Sequence, residues 1–393
     1  MMAKTAFSLP KAIIEGEHLI GKFIGDTAGA TLIVVGGVHG NEPGGAIALK
    51  KISEQVESLR GKLCGRVYFI AGNTRALSRG VRFVGADLTR HWTSENLSKT
   101  DLQIAEDFEL RELLKFFGEI LTTAKNEIYA LDLHSTSANG LPFATIGDTM
   151  RNRRFAQKFP VTILLGIEEQ LDGTMLEYLN NEGAITFGFE GGQHDSSDTA
   201  KNHEALVWLA LVNAEILNEQ DVPDLAKHRE NLAKATGKPK ILEVRHREVV
   251  TEEDEFEMNP GFQNFDEIRC GQILAKNKTG EIKATESGLI LMPLYQKQGA
   301  DGFFIGREIA PFWLWLSGVL RRLRFAEIVR FFPGVSQHPT EPESLVVNTQ
   351  VARFFPLQIF HVLGFRKRRW RDNQLIVSRR KHDTKSPFRT NRR

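Results

Sequence analysis

The sequence predicts an α/β fold in which helices flank a mostly parallel, partly mixed sheet. Apolar runs of strand length alternate with helical stretches, and several runs end in glycine or polar residues. Of the 393 residues, 41% are hydrophobic, which is enough for a sizeable core. Five runs are predicted as buried strands, at 30–40, 65–73, 127–137, 161–167 and 184–192.

Helical stretches lie between the predicted strands. Pro43 suits the first turn of a helix, and residues 44–59 continue from it with helical spacing. Further helices are predicted at 101–124 and 203–220. Strands joined by helices pair in parallel, so we expect their carboxyl ends to meet at one edge, where ligands bind.

The character of the chain changes after residue 222. Short alternating stretches punctuated by glycine predict a β-rich domain at 223–310, over the cleft of the first domain at 1–222. Residues 311–393 form a basic, aromatic extension whose last dozen residues we expect to be disordered. The extension carries 17 Lys and Arg against 5 Asp and Glu, whereas the preceding residues carry 34 against 44.

Two features bear on the cellular compartment. Cys64 and Cys270 cannot make a disulfide framework, and neither lies in a CxxC motif. The first residues lack the apolar core of a signal peptide, and no uninterrupted apolar run approaches the ~20 residues of a membrane span. We therefore expect a cytoplasmic protein.

Polar residues after two predicted strands indicate a metal site. His39 and Glu42 form an H-x-x-E pair in a turn, and His134 lies near the end of another strand. Two imidazoles and a carboxylate are a common catalytic zinc set, and nitrogen ligands favour zinc over magnesium. H-x-x-E pairs also occur by chance, so a turn that holds these residues for shape alone is the alternative.

Five ordered motifs carry a resemblance to a known family. GGVHGNE, GNTRAL, VRFVGADLTRHW, DLHSTSANG and FGFEGG occur in the order found in the succinylglutamate desuccinylase/aspartoacylase family. The resemblance covers about residues 30–310 and implies a zinc amidohydrolase with a zinc-carboxypeptidase-like fold. It also implies one zinc ion per chain, held by His39, Glu42 and His134.

The resemblance assigns supporting roles around the metal. It implies that Asp87 supports a ligand histidine through the second ring nitrogen, with a helix N-cap as the alternative. It implies that Glu190 is the general base on zinc-bound water. Partial desolvation at the end of an apolar stretch would raise the pKa of Glu190, whereas a surface carboxylate beside a glycine turn is the alternative.

Two arginines flank the segment FVGADLT. The resemblance implies that Arg82 lies near the developing oxyanion and that Arg90 holds the free carboxylate of the substrate. Thr89 stands where the family has asparagine. One hydroxyl therefore replaces an amide, and we expect an altered substrate pocket.

Two further residues are assigned to substrate binding, each with an alternative. Asn73, in GNTRAL, is expected to shape the pocket floor or else to form a turn after a strand. Tyr295 is expected to cap the substrate channel or else to belong to the core of the β-rich domain. The core is the favoured role for Tyr295.

The basic extension has three open interpretations. Apolar and basic residues at near-helical spacing in 313–332 suit packing on the acidic body, contact with an anionic membrane surface, or stacking on single-stranded nucleic acid. Packing on the body is the favoured interpretation. The run FRKRRWR at 365–371 is the best candidate for a polyanion contact.

The leading hypothesis is zinc-dependent hydrolysis of the amide bond of an N-acyl amino acid or related small carboxylate. The alternatives are a carboxypeptidase acting on short peptides and a non-catalytic zinc-binding regulatory protein. The 91 residues between Glu42 and His134 match the compact deacylase branch, and a domain over the cleft restricts substrate length. The intact ligand set and Glu190 argue against a non-catalytic protein. The sequence leaves the oligomeric state open.

Overall fold

Helices cover both faces of a long mixed sheet at the centre of the protein. The computed structural model describes residue 9 and residues 11–348, 357–365, 367–371 and 374–388. The strands described before residue 310 are β1 (Leu19–Ile24), β2 (Thr27–Gly36), β3 (Cys64–Ala71), β4 (Ile128–Thr136), β5 (Phe143–Ile146), β6 (Thr162–Leu165), β7 (Ile185–Gln193), β8 (Ile241–Val249), β9 (Glu257–Met258), β10 (Glu267–Ile268), β11 (Ile273–Asn277), β12 (Gly280–Lys283), β13 (Gly288–Leu291) and β14 (Asp301–Glu308).

The central sheet has eleven strands in the order β1-β3-β2-β4-β7-β5-β6-β8-β14-β13-β10. Strands β3, β2, β4 and β7 run parallel, so their carboxyl ends share one edge, whereas β8, β14, β13 and β10 pair antiparallel. Strands β9, β11 and β12 form a small separate sheet. The predicted fold class is confirmed, and the domain boundaries at 222 and 310 stay predictions.

Alternate residues of β2 enter two different cores, which explains why this strand is a continuous apolar run. Leu32 and Val34 pack in the cluster that includes α2 and α8, while Ile33 and Val35 pack in the cluster that includes α5. The helices described before residue 310 are α1 (Lys11–Ile14), α2 (Gly44–Ser58), α3 (Thr74–Arg79), α4 (Ser94–Ser98), α5 (Ala105–Thr123), α6 (Met150–Ala156), α7 (Met175–Asn181), α8 (Ser197–Asn213) and α9 (Leu225–Thr236).

The extension after residue 310 has a core of its own, formed by residues such as Val329, Leu345, Phe360 and Val377. Its strands form an antiparallel sheet in the order β15-β16-β18-β17. Of the helices that the structure describes, none is long and apolar enough to cross a bilayer. The elements of the extension are α10 (Pro311–Arg322), α11 (Ala326–Val329), β15 (Val335–Gln337), β16 (Ser344–Asn348), α12 (Leu357–Val362), β17 (Lys367–Arg371) and β18 (Gln374–Ser378).

The end of the chain differs from the expected disorder as far as Phe388. Asp383 is 8% exposed and accepts a hydrogen bond from Met150 N at 2.8 Å. Composition could not show this, because the partner lies more than 200 residues away. Residues 389–393 lie outside the described residues, as do the side chains of 366–371 in the run predicted to contact a polyanion.

Candidate metal centre and substrate cavity

The turn after β2 and the end of β4 bring together the three predicted ligands. His39 and Glu42 lie in the turn before α2, and His134 lies in the neighbouring strand β4. One potential ligand atom from each side chain lies within 4.8 Å of those from the other two. The Glu42 carboxylate lies 2.8 Å from His39 Nδ1 and 3.3 Å from His134 Nδ1. The three side chains therefore converge on one point.

Close backbone packing shapes the turn that carries His39 and Glu42. A Cβ atom on Gly36 would lie 2.6 Å from Ala46 N, so only glycine lets the first turn of α2 approach the end of β2 this closely. The turn closes with a hydrogen bond from Glu42 N to His39 O at 3.1 Å. The H-x-x-E spacing thus places the imidazole and the carboxylate side by side.

A carboxylate binds the outer ring nitrogen of each ligand histidine. His39 Nε2 lies 3.0 Å from Asp87 Oδ1, and His134 Nε2 lies 2.9 Å from Asp132 Oδ2. When Nε2 carries the proton, Nδ1 presents its lone pair toward the metal position. Asp87 also accepts a hydrogen bond from Thr89 N and caps the turn at 88–90. Asp87 thus forms the cap of the stated alternative and also contacts His39, and its support of a metal ligand stays a prediction.

The donor set fits a zinc ion. Two imidazole nitrogens and one carboxylate are three ligands of the kind that catalytic zinc sites use, and all three residues line one cavity. Burial lowers the pKa of His134, but Asp132 and Glu42 together raise it well above its usual value. A divalent cation bound between the two imidazoles would neutralise the negative charge of these carboxylates.

Glu190 faces the same point from the next strand. Its Cα is paired with that of His134 across β4 and β7. Glu190 Oε2 is buried and has no hydrogen-bond partner in the described part of the chain. Burial raises the pKa of Glu190 to about 7, although the nearby charge of His134 opposes this shift. A carboxyl group in this condition exchanges a proton near neutral pH.

Two arginines line the cavity, and both have carboxylate partners. Arg82 donates to Glu42 Oε1 at 3.3 Å and to Asp87 Oδ2 at 3.2 Å. Arg90 donates to Asp301 in β14, which also accepts from Arg247 Nε at 2.6 Å. The predicted carboxylate clamp at Arg90 is thus part of an ion cluster with two positive charges and one negative charge.

Thr89 lines the cavity but its hydroxyl contacts a ligand histidine. Thr89 Oγ1 lies 3.0 Å from His39 Nε2, the same nitrogen that contacts Asp87. The hydroxyl is therefore occupied on the metal side of the cavity. Because Thr89 also lines the cavity, its role in substrate binding stays a prediction.

Two predicted substrate-binding residues are not among the residues that line the cavity. Asn73 is fully buried; its Oδ1 caps α3 by accepting from Ala76 N, and its Nδ2 donates to Glu106. Tyr295 is 39% exposed, and its hydroxyl donates to Asn259 O at 2.8 Å. Asn73 is thus the turn residue of the stated alternative. The exposure of Tyr295 disagrees with the favoured core role, and its role at the substrate channel stays a prediction.

The cavity has a polar end and an apolar end. Its volume is about 150 Å³, enough for a small molecule. The candidate metal ligands and the two arginines form the polar end. Glu168 also lines the cavity; it is 7% exposed, and burial raises the pKa of its carboxyl to about 7. The apolar wall is formed by Ile167, Leu171, Leu176, Met292, Leu294 and Phe304.

Several residues of the site were not predicted. Asp132 follows a recognisable signal, because the D-x-H spacing in a strand places both side chains on one face. Ser135 Oγ bonds His194 Nδ1 at 2.8 Å, and His194 Nε2 lies 3.2 Å from Gln296 Oε1 at the cavity wall. Asp301, the partner of Arg90, carries no local signal, since it comes from a strand 211 residues away.

Comparison with known proteins gives consistent matches. Residues 28–214 match the sequence profile of the succinylglutamate desuccinylase/aspartoacylase catalytic domain. A succinylglutamate desuccinylase from Ectopseudomonas mendocina is 26% identical over 267 residues, which cover 63% of this chain and 74% of that protein. A probable aspartoacylase from Nostoc sp. is 35% identical over 106 residues, which cover 27% of this chain and 35% of that protein.

Solved structures show the same fold. The crystal structure of a succinylglutamate desuccinylase/aspartoacylase from Rhodobacter sphaeroides has a TM-score of 0.56 and 16% identity, covering 74% of this chain and 88% of that chain. At this identity the likeness concerns the fold alone, and the Nostoc match spans about a third of that relative's length. Residues 28–214 therefore match the catalytic domain of the succinylglutamate desuccinylase/aspartoacylase family.

Proposed function

We propose that the chain is a zinc-dependent amidohydrolase that removes the acyl group from an N-acyl amino acid or a related small carboxylate. The observation that carries this proposal is the unpartnered, buried Glu190 oxygen beside three side chains whose ligand atoms lie within 4.8 Å. The names of the relatives, desuccinylase and aspartoacylase, are those of deacylases. They support the reaction class.

His39, Glu42 and His134 would hold the zinc ion. The bound ion supplies Lewis-acid activation of water and of the scissile carbonyl. Asp87 and Asp132 accept hydrogen bonds from the outer ring nitrogens and so fix the tautomer and orientation of both imidazoles.

Glu190 would move the proton. Its carboxylate takes a proton from the attacking water and returns it to the nitrogen of the leaving amine as the amide bond breaks. A pKa of about 7 suits both directions of this transfer, because neither protonation state is strongly favoured at neutral pH. The absence of a partner for Oε2 among the described residues leaves that oxygen available to water.

Arg82 would stabilise negative charge on the carbonyl oxygen of the substrate. Its two contacts with Glu42 and Asp87 hold the guanidinium at the polar end of the cavity. Arg82 Nε is buried and has no acceptor among the residues described, so one donor remains for the substrate. A preorganised donor of this kind is worth roughly 3–4 kcal/mol of transition-state stabilisation.

The charge and shape of the cavity favour a substrate with one carboxylate and an apolar group. Arg90 and Arg247 share Asp301, so this cluster retains one net positive charge. Leu171 and Phe304 belong to the apolar wall. The substrate panel described below decides between this reaction and the carboxypeptidase alternative.

A substrate panel tests the proposal. Purified protein is incubated with N-acyl amino acids and short peptides, and the released amine is measured before chelation, after chelation and after added zinc. We expect deacylation of N-acyl amino acids that is lost on chelation and restored by zinc. Cleavage of peptides alone would support the carboxypeptidase alternative, and bound zinc without any turnover would support a regulatory protein.

A further inference from the structure

Helix α10 turns its apolar face toward solvent. Phe312 is 58% exposed, Trp315 62% and Leu323 70%. These positions, spaced by three and eight residues, lie on one stripe of a helix. The two fully buried positions of α10 are the polar residues Ser317 and Arg321. Leu314 packs on the main core, but the most buried positions of the helix are polar and its largest aromatic side chains stay in solvent.

Buried polar contacts fix this orientation. Arg321 Nη2 donates to Asp148 Oδ2 at 3.0 Å, and Arg321 Nη1 donates to Asp383 Oδ1 at 3.2 Å. Ser317 Oγ donates to Val362 O at 2.6 Å. Turning the apolar stripe inward would break these bonds and remove one cation from the buried carboxylates of Asp148 and Asp383, which is costly. The exposed stripe is thus a fixed feature of the fold.

Exposed apolar side chains are concentrated in this part of the chain. Six of the fourteen large hydrophobic residues that are exposed in the described structure fall between 312 and 331. Ile328 and Phe331, just after α10, are 48% and 75% exposed. Single exposed hydrophobic residues are common, but a concentration of this kind marks an interaction surface.

Unpaired basic groups accompany the apolar stripe. Arg154 and Arg322 line a groove together with Trp315. Neither arginine has an ion-pair partner among the residues that the structure describes, and both are exposed. Tryptophan and phenylalanine beside arginine are the combination that suits the boundary between lipid headgroups and acyl chains. The positive charges complement an anionic leaflet.

We propose that the outer face of α10, formed by Phe312 and Trp315, together with Leu323 directly after the helix and Arg154 and Arg322 beside it, binds the surface of an anionic phospholipid bilayer. The apolar side chains enter the headgroup boundary while the arginines contact phosphate groups. The amphipathic helix lies on the membrane and does not cross it. This binding is independent of the proposed hydrolysis, and it would hold the enzyme where its substrates meet a membrane.

Vesicle flotation with the full-length protein tests this proposal. We expect binding to vesicles of phosphatidylcholine with phosphatidylserine, a blue shift of tryptophan emission, and weaker binding to phosphatidylcholine alone. Replacing Phe312 and Trp315 by serine should weaken binding at least about tenfold, because most of the inserted apolar area is lost. The control Val249→Ser removes an apolar side chain that is 56% exposed elsewhere, and it should bind like the wild type.

The arginines give a second, separable readout. The double variant Arg154→Gln and Arg322→Gln should lose the preference for phosphatidylserine and most of the salt dependence, with unchanged circular dichroism. Absence of vesicle binding by the wild type would overturn the proposal, as would equal binding by the double serine variant. Two further results would overturn the proposal. In the first, the wild type forms dimers and binds no vesicles, and the serine variant is a monomer. In the second, the wild type binds single-stranded oligonucleotides instead of vesicles.

Discussion

Two clusters of buried charged groups differ in whether their hydrogen-bonding capacity is filled. At the candidate metal centre, Glu190 Oε2 has no partner in the described structure, although it lies beside two imidazoles and an arginine. Under α10, Arg153 Nε donates to Asp148 Oδ1 at 2.6 Å while Arg321 donates to the other oxygen of Asp148 and to Asp383. We call this second group the anchor cluster.

The difference separates function from structure. A saturated buried cluster holds segments together, and its cost of desolvation is offset by its internal bonds. A buried carboxylate without a partner lowers the stability of the fold, so such a group is retained where chemistry requires it. The comparison therefore predicts opposite results when the two clusters are altered, activity being lost in one case and stability in the other.

The largest expected effect is on turnover. Glu190→Gln keeps the shape of the side chain but removes proton transfer, so kcat for an N-acyl amino acid should fall by roughly 10²–10⁴-fold. Thermal unfolding should occur at the wild-type temperature or higher, since an unpaired buried carboxylate has been removed. Steady-state kinetics and calorimetry measure the two quantities. The control Glu54→Gln, on the exposed side of α2, should change neither, and full activity of Glu190→Gln would exclude Glu190 as the base.

The anchor cluster should respond in the opposite way. Arg321→Met leaves Asp383 and one oxygen of Asp148 without this cation, which should lower the free energy of unfolding by about 3–5 kcal/mol. Zinc content and kcat at a temperature where the variant is folded should stay near wild type. Urea unfolding measures the loss. The neighbouring, exposed Arg322→Met is the matched control, and equal stability of the two variants would show that the anchor cluster contributes little.

The sequence predicts the convergence of the candidate metal ligands well because its signals are local. Parallel strands end at one edge of the sheet, so His39, His134 and Glu190 could be placed together from their positions after apolar runs. The partner of Arg90 could not be predicted. Asp301 reaches the cavity because β14 pairs antiparallel with β8, and the local sequence does not show which strands pair.

The orientation of α10 could not be predicted from the sequence, for a different reason. Helical spacing shows which residues share a face, but the identity of the packed face depends on partners elsewhere in the chain. Here Asp148 and Asp383 determine it, by holding Arg321 on the inner side. The prediction that the extension packs on the body therefore named the correct helix region but not the side that faces inward.

A third change concerns pH and tests whether the buried carboxyl of Glu168, which accepts a hydrogen bond from Thr174, also lowers stability when it ionises. The pKa of Glu168 is about 7 in the folded protein, above its ordinary value, because the carboxyl is buried. Between about pH 4.5 and 7 the folded state keeps a proton that the unfolded chain releases, so stability falls as pH rises.

Glu168→Gln cannot ionise and should escape this loss. Relative to wild type it should be more stable by on the order of 3 kcal/mol above pH 7, and the difference should vanish below about pH 4.5. Urea unfolding across this pH range gives the curves. Glu182→Gln, at an exposed position, should follow the wild type throughout. A pH-independent difference for Glu168→Gln would mean that packing and not ionisation is responsible.

The smallest expected effect tests the carboxylates behind the ligand histidines. Asp132→Asn keeps a hydrogen-bond acceptor near His134 Nε2 but removes the negative charge, so zinc affinity should fall by roughly 10–100-fold. Competition with a fluorescent chelator measures the affinity of the folded protein directly, without reference to turnover. Asp26→Asn, in an exposed turn, should bind zinc like the wild type. Unchanged affinity in Asp132→Asn would mean that Asp132 is a saturated structural partner of the kind found in the anchor cluster, and the distinction between the two clusters would then have to rest on Glu190 alone.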